Sequence, residues 1–397
     1  MNALPLEGIK VLDMSTVLAA PVTATFLGDF GAEVVKIEEP VRGDVTRASP
    51  SGRRSLQWAQ EGRNKKSVCI DLRKPRGQAL ARELVREFDV TLTNYRPPTL
   101  EKWGLDPASL QRANPSGIHV FITGYGLDGP NRDRGAFDRI ASAYSGLTYV
   151  SGEPDRQPVR SGYAVIDYMS AYLAAFGTVT ALYHRDHNGG QGQVIDLALY
   201  EAGFRASEDA LLAYSHSGQV RERLGNRNPQ MVPASDFRTK DDRWISVHAG
   251  TDTLFPRLAQ VMGMPKLIQN DRFATRAARI ENQEDLYEVI SDWMSTVSAD
   301  EAVSVLNDAG IPASPVMSVA DIASDPHYLQ RGTFVEVEDP EFGKLLMAAP
   351  IPRLSDTPGK IRSLGPNLGE HTDSVLSEML GLRVPELTEL RSTGVIS

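Results

Sequence analysis

The 397-residue sequence contains a single cysteine, Cys69, which excludes an intramolecular disulfide and fits a reducing compartment. No apolar run is as long as a membrane span requires, and the first ten residues lack the hydrophobic stretch of a secretory signal. Basic tracts are also absent, and the net charge is −9. We therefore expect a cytoplasmic protein that binds neither nucleic acid nor a membrane.

Several sequence motifs of well-known enzyme classes are missing. The sequence has no GxGxxG or Walker loop, no HExxH pair and no GxSxG elbow. Cys69 lies in a strand-like run and is interpreted as a core residue rather than a nucleophile. The seven histidines are scattered: His184 and His187 are expected at an exposed helix end, and His248 in the core or at the rim of a cleft. No metal site is predicted.

Strand-like and helix-like segments alternate over the first half of the chain. Such alternation predicts an α/β fold with a mostly parallel, Rossmann-like sheet, whose ligands bind at the carboxyl ends of the strands. The predicted strands are Ile9–Asp13, Ala32–Ile37, Ser67–Ile70, Asp89–Asn94 and Gly117–Thr123, and the helices between them include Ala20–Phe30 and Pro75–Phe88.

The pattern changes in the second half of the chain. Residues 1–200 are predicted to form the first part of a large α/β domain, and 201–225 a linker. Residues 226–325 contain one clear strand and several amphipathic helices, which predicts a smaller, inserted α+β domain. Residues 326–397 are predicted to return to the large domain and complete it.

An acidic residue, Asp167, stands just before the uncharged run 171–182, which has helical spacing. Aspartate is rarely buried without a partner. Asp167 is therefore either the N-cap of a buried helix or a functional carboxylate, and these residues alone favour the cap, because aspartate is a preferred N-cap residue.

Several blocks in order along the whole chain resemble the class III coenzyme A transferase family, which includes formyl-CoA:oxalate and carnitine CoA-transferases. These blocks are Leu6–Asp13, Leu27–Glu38, Gly43–Asp44 with Arg47, Gly62–Ser67, Asp71–Arg73, Asn94–Pro97, Gly124–Gly126, Phe137–Asp138, Gly190–Gln193 and Asp271–Phe273. The resemblance implies that Asp167 is the catalytic nucleophile, forming an aspartyl anhydride and then an aspartyl-CoA thioester. It also implies an acyl-CoA donor such as succinyl-CoA, a carboxylic acid acceptor and no tightly bound cofactor. The implied assembly is an interlocked homodimer, with a heteromer as the alternative.

The resemblance also assigns binding residues. The implied contacts to CoA and substrate are Val17, Leu18, Ala19, Arg73, Asn94, Tyr95, Lys102, Trp103, Phe137, Asp138 and Gly225. Many family members have Gln where Leu18 stands. Arg73 and Lys102 are alternatively solvated surface charges, and Trp103 a core aromatic residue. Gly225 matches a glycine-rich lid but stands alone here.

Three other functions stay open from the sequence. Related α-methylacyl-CoA racemases resemble the chain, but they have a histidine where Phe137 stands, so a racemase would need another base. An intramolecular shift of CoA between two carboxyls of one acid is possible, as is a role as one subunit of a heteromer. Loop arginines could clamp the second carboxylate of a dicarboxylic acceptor, the candidates being Arg47, Arg53, Arg54 and Arg96.

Overall fold

The computed structural model describes residues 3–48 and 54–397, and the chain forms two compact units. The larger unit comprises Met1–Leu147, Ser161–Leu212 and Gly332–Ser397, and the smaller one comprises Thr148–Arg160 and Ala213–Arg331. The domain boundaries proposed from the sequence, near residues 200, 225 and 325, stay predictions.

A six-stranded parallel sheet is the centre of the larger unit. Its strands are β1 (Lys10–Asp13), β2 (Glu33–Glu38), β3 (Lys65–Cys69), β4 (Val90–Thr93), β5 (Ile118–Thr123) and β6 (Gln193–Ala198). Their order is β3-β2-β1-β4-β5-β6, which is the Rossmann order and confirms the predicted α/β fold. The strand order reverses between β1 and β4, so the expected ligand position is the carboxyl edge beside these two strands.

Helices cover both faces of the sheet. The first part of the larger unit contains eight α-helices among the described residues. They are α1 (Ala19–Asp29), α2 (Leu56–Glu61), α3 (Pro75–Val85), α4 (Pro97–Trp103), α5 (Pro107–Ala113), α6 (Asp138–Tyr144), α7 (Val165–His187) and α8 (Leu199–Arg205). Every residue of β4 and β5 is buried, as expected for strands covered on both faces.

Alternate residues of β1 enter two separate cores. Leu12 packs with Leu80 and Leu84 of α3 on one face, whereas Val11 packs on the other face, in the core that contains α1 and α7. Small residues of α1 and α7, such as Ala24 and Ala174, are fully buried, and they let these two helices pack closely.

The smaller unit has its own core. Its main segment begins within α9 (Ala210–Ser217), and its antiparallel strands are β7 (Ala234–Arg238), β8 (Trp244–His248) and β9 (Ala313–Pro315). Its helices are α10 (Leu254–Val261), α11 (Arg276–Glu281), α12 (Gln283–Met294), α13 (Ala299–Asp308), α14 (Val319–Ser324) and α15 (Pro326–Arg331). Arg279 is fully buried there because it donates to three backbone carbonyls and to Asp252.

The last segment of the chain returns to the larger unit. It contains the hairpin β10 (Phe334–Asp339) and β11 (Gly343–Ala348), followed by α16 (Thr372–Leu380) and α17 (Val384–Ser392). The backbone N–H of Asp71 donates to the Val395 carbonyl at 2.8 Å, and Leu376 and Leu390 enter the core of the α3 face. Residues from distant parts of the sequence therefore share one core.

One described helix, α7, is long and apolar enough to cross a membrane by length and composition. This differs from the expectation that no such segment exists. The core helix of a soluble protein meets the same criteria, and α7 is partly buried inside the protein.

Candidate functional site

Asp167 lies in the first turn of α7, whose N-cap residue is Ala164. The Asp167 side chain is therefore not the N-cap, and the capping alternative considered from the sequence is wrong. Only 8% of Asp167 is exposed, so its carboxyl group is largely removed from water. Ile166 and Ser170, on either side of it in sequence, are buried as well, and α7 packs against α1.

Asp138 supplies the missing cap of α7. Its Oδ1 accepts hydrogen bonds from the backbone N–H groups of Ile166 at 2.8 Å and Asp167 at 3.4 Å. The first turn of a helix has unpaired N–H groups and a partial positive charge, which a carboxylate satisfies. Asp138 is itself the first residue of α6, so this contact joins α6 to the turn that holds Asp167.

The pKa of Asp167 is raised from its ordinary 3.8 to about 7. The main cause is burial of its carboxyl group, and the negative charge of Asp138 adds to it. Within the described residues, no donor forms a hydrogen bond to the Asp167 side chain that would oppose this rise. A carboxylate so poorly stabilised as an anion is a more reactive nucleophile than one in water.

The segment between β1 and α1 packs beside the first turns of α7. Val17 and Leu18 belong to a small apolar cluster with Ala164, Tyr168 and Ala171, residues that surround Asp167 in sequence. Leu18 therefore packs against the turns of α7 that precede and follow Asp167. The structure places Ala19 in the buried first turn of α1.

Asn94 follows β4 and bridges the point where the strand order reverses. Its side chain accepts from the backbone N–H of Thr16 at 2.9 Å and donates to the Thr16 carbonyl at 2.6 Å. Asn94 therefore has a structural role at the carboxyl edge of the sheet, next to Val17.

Tyr95 and Trp103 form an edge-to-face pair with ring centres 4.9 Å apart. Both rings are partly buried against the core of the α3 face, which agrees with the core alternative for Trp103. Arg73 is exposed and pairs with Asp71 at 2.8 Å. Lys102 is exposed in the last turn of α4.

The remaining predicted site residues lie in different surroundings. Phe137 is the N-cap residue of α6 and is 67% exposed, so its ring is available for contact. Gly225 belongs to the smaller unit, where its N–H donates to the Gly152 carbonyl at 2.9 Å and a side chain would meet the Glu153 carboxylate. Gly225 is thus fastened to a neighbouring segment.

Two of the four candidate clamp arginines form ion pairs with carboxylates of the protein. Arg47 binds the buried Glu38 through two nitrogens, each at 2.6 Å, and Arg54 binds Asp339 at 2.8 Å. Arg96 is exposed and donates to a backbone carbonyl at 3.3 Å. Arg53 lies outside the described residues.

The histidines form no cluster in the part of the chain that the structure describes, and no group of three metal-binding side chains occurs there. His184 and His187 are at the end of α7, and His248 is half-buried at the end of β8. Cys69 is buried in β3, and burial raises the pKa of its thiol, in agreement with its interpretation as a core residue.

Sequence reasoning missed several residues that shape the Asp167 turn. Gly203 of α8 is so close to it that a Cβ there would lie 2.6 Å from both Ile166 and Ser145. The Tyr168 hydroxyl donates to Glu61 at 2.8 Å, and burial raises the pKa of this carboxyl group. No local sequence pattern could have revealed these contacts, since each joins distant segments.

The chain is similar over almost its whole length to known proteins. A model of the family described as CoA-transferase family III matches residues 6–372. The chain is 42% identical to the succinyl-CoA–L-malate CoA-transferase beta subunit of Chloroflexus aurantiacus, over 100% of this chain and 99% of that protein. It is 40% identical to the succinyl-CoA–D-citramalate CoA-transferase of the same organism, over 99% and 98%. A CAIB/BAIF family protein from Brucella suis, known from a crystal structure, has a TM-score of 0.83 and 32% identity, over 95% of this chain and 100% of that one.

Proposed function

The chain belongs to CoA-transferase family III, and from this premise we propose that it moves CoA from succinyl-CoA to a dicarboxylic acid through Asp167. The single observation that carries the proposal is the buried Asp167 carboxylate, with its raised pKa, in the first turn of α7. A transfer of CoA between two acids needs a nucleophile that can hold each acyl group in turn.

The proposed reaction is a sequence of acyl substitutions at three carbonyl carbons. The Asp167 carboxylate attacks the thioester carbonyl of the donor, the C–S bond breaks, and CoA thiolate leaves a mixed anhydride behind. The thiolate then attacks the Asp167 carbonyl and releases the donor acid, which forms an aspartyl-CoA thioester. The acceptor carboxylate repeats these steps in reverse and leaves with CoA, regenerating Asp167.

The surroundings of Asp167 suit this chemistry. Its carboxyl group loses its negative charge when it becomes an anhydride or thioester, so the burial that disfavours the anion favours both intermediates. Burial also limits access of water, which would hydrolyse an anhydride. We infer that Asp138, by capping α7, orients Asp167 and adds to its reactivity.

The CoA contacts remain part of the proposal. We propose that the backbone of Val17, Leu18 and Ala19 holds the thioester region, since this segment packs beside the first turns of α7. The nucleotide and pantetheine would follow a path that contains these residues: Arg73, Asn94, Tyr95, Lys102 and Trp103. Phe137 would contact the substrate through its exposed ring, and Gly225 would contribute through its loop.

Succinyl-CoA is the proposed donor because both similar proteins from Chloroflexus aurantiacus are named for it. Their acceptors, malate and citramalate, are short dicarboxylic acids, so we propose an acceptor of that class. Because Arg47 and Arg54 are bonded to Glu38 and Asp339, Arg96 is the described arginine that we propose for the second carboxylate.

A second copy of the chain is the proposed partner. One side of α7 exposes a continuous apolar stripe, consisting of Tyr172, Leu173, Phe176, Val179 and Tyr183, and Phe176 is 72% exposed. An exposed stripe of this kind is typical of an interface. We propose an interlocked homodimer, with a heteromer as the alternative, because one similar protein is named a beta subunit.

The test is an exchange assay read by mass spectrometry. Purified protein is incubated with succinyl-CoA and a panel of mono- and dicarboxylic acids, with the Asp167→Ala variant in parallel. The proposal predicts a new acyl-CoA with malate or citramalate for the unmodified protein only. Transfer by the variant would refute the role of Asp167. Loss of α-deuterium from a 2-methylacyl-CoA without an acceptor would instead indicate a racemase.

A further inference from the structure

Val17 has a backbone conformation that valine rarely adopts. Its φ angle is +70°, in the left-handed region where a β-branched side chain is strained. Such strain persists only where the surrounding structure enforces it, and it concentrates at functional positions. Val17 belongs to the segment Ser15–Pro21, which comprises the end of the loop after β1 and the first turn of α1 and contains the proposed thioester contacts.

A group of four buried charges lies directly around this segment. Asp13, Lys36, Asp44 and Lys65, which we call the ionic cluster, are each less than 5% exposed. The Lys36 ammonium group lies 3.1 Å from Asp44 and 3.5 Å from Asp13, and that of Lys65 lies 3.1 Å from Asp13. Two positive and two negative charges balance, so the cluster can exist without water.

The ionic cluster is bonded to the backbone of the strained segment. Lys36 donates to the Ser15 carbonyl at 2.8 Å, and Lys65 donates to the Pro21 carbonyl at 2.6 Å. Asp44 Oδ1 accepts from the Val17 N–H at 3.4 Å. The segment is thus held near both ends and at the strained residue by side chains from the cluster.

Asp44 is the member that contacts Val17 itself. Its Oδ1 also accepts from the Thr46 backbone N–H at 2.9 Å and the Thr46 hydroxyl at 2.7 Å, while Oδ2 faces Lys36. Thr46 and Lys36 therefore orient the Asp44 carboxylate toward Val17. Asn94 also holds the segment, through its two hydrogen bonds to the backbone of Thr16.

We propose that Asp44, oriented by Lys36 and Thr46, is a positioning residue that keeps Val17 at positive φ so that the backbone of Val17–Ala19 faces the acyl group on Asp167. The inference rests on the proposed function, because the substrate is what this backbone would contact. Asp44 touches no reacting atom and acts through Val17. Without it, valine would relax to negative φ, and the direction of the following N–H groups would change.

The test is a double-mutant cycle in the full-length protein. Asp44→Asn keeps the size of the side chain but places an NH2 group or a neutral oxygen opposite Lys36, so its hold on Val17 is weakened. Val17→Gly removes the steric strain at positive φ, because glycine adopts this region freely. We expect Asp44→Asn to lower kcat at least about tenfold, and a much smaller loss, about threefold or less, when residue 17 is glycine.

A matched control relieves strain elsewhere. Asp242, in the turn between β7 and β8 of the smaller unit, also has a positive φ of +61°. Asp242→Gly combined with Asp44→Asn should leave kcat as low as Asp44→Asn alone. Thr46→Val is a milder variant, since it removes one hydrogen bond to Asp44 and preserves the charges. Thr46→Val should also lower kcat, and it replaces Asp44→Asn in the double-mutant cycle if that variant does not fold.

Hydrogen exchange gives a readout that needs no activity. Asp44→Asn or Thr46→Val should speed amide exchange in a peptide spanning residues 14–20 and leave a peptide from β5 unchanged. Unchanged exchange in the first peptide would overturn the proposal, as would a kcat loss that is equal with valine and glycine at position 17. If the unmodified protein transfers no CoA, the proposed function fails, and the exchange result still decides whether Asp44 holds the segment.

Discussion

Replacing Asp167 by asparagine is expected to stabilise the protein at pH 8 far more than at pH 5. The pKa of Asp167 is raised from 3.8 to about 7 because its carboxyl group is buried and, secondly, because Asp138 is nearby. The unfolded chain therefore releases this proton near pH 4, whereas the folded protein keeps it until near pH 7. Ionisation of Asp167 therefore lowers the free energy of unfolding as the pH rises from about 4 to about 7, and this loss remains at higher pH.

The magnitude follows from the two pKa values. Each unit of separation between the folded and unfolded pKa values corresponds to about 1.4 kcal/mol. The free energy of unfolding is therefore lowered by about 4 kcal/mol at pH 8 and about 1.7 kcal/mol at pH 5. Asparagine does not titrate and avoids this loss. The free energy of unfolding of Asp167→Asn relative to the unmodified protein should therefore rise by about 2–3 kcal/mol between pH 5 and pH 8.

Urea denaturation of the ligand-free protein at both pH values measures this difference, with helix content as the signal. Asp356→Asn is the matched control, since Asp356 is an exposed acid of the larger unit. The control should show little change between the two pH values. A stability difference for Asp167→Asn that is the same at pH 5 and pH 8 would refute the reasoning about its burial.

Three other variants test the site. Gly203→Ala adds a methyl group within 2.6 Å of the start of α7, so we expect a loss of about 1–3 kcal/mol in thermal unfolding and a lower kcat. Asp138→Asn removes a negative charge beside Asp167, so the acidic limb of the kcat/KM profile should move to lower pH. Arg47→Ala removes the arginine that pairs with the buried Glu38 carboxylate, so stability should fall by about 3–5 kcal/mol while KM for the acceptor acid stays unchanged.

Each of these three predictions has a result that would contradict it. Gly177→Ala within α7 meets no atom nearer than 3.7 Å and should be tolerated, so equal damage by both glycine replacements would refute the packing argument. A limb that moves to higher pH in Asp138→Asn would mean that its charge does not act on Asp167. A large rise in KM for the acceptor acid in Arg47→Ala, with stability unchanged, would indicate that Arg47 binds the acceptor.

Much of the larger unit could be predicted from the sequence, because its elements are long and their burial is continuous. The predicted strand Gly117–Thr123 is observed as Ile118–Thr123, and the predicted helix Pro75–Phe88 as Pro75–Val85. A strand buried on both faces has an apolar run as its sequence signature, and an amphipathic helix has a regular period. Both signals are local, so neither depends on how the chain is folded.

The contacts that shape the candidate site could not be predicted in the same way. The bond from Asp138 to α7 joins residues 28 positions apart, and nothing local to either residue indicates it. The strain at Val17 is invisible because turns of this kind usually contain glycine. Lys36 was the available signal for the ionic cluster: a lysine inside the apolar strand β2 requires a buried partner.

Charged loop residues were the hardest to interpret from the sequence. Arg47 and Arg54 looked equivalent to Arg96 as carboxylate clamps, since all three are arginines in loops. The structure separates them, because the first two bond to Glu38 and Asp339. Which acid binds an arginine depends on the folded chain and not on the composition of its loop.

The most direct measurement of the central claim is to trap the covalent intermediate. The protein is incubated with succinyl-CoA alone, quenched with acid, digested and analysed by mass spectrometry, with a second sample treated with borohydride to reduce any aspartyl thioester. The account predicts CoA attached to the peptide that contains Asp167, and a reduced side chain at the same position after borohydride. No adduct, or an adduct on any other residue, would contradict the assignment of Asp167 as the nucleophile.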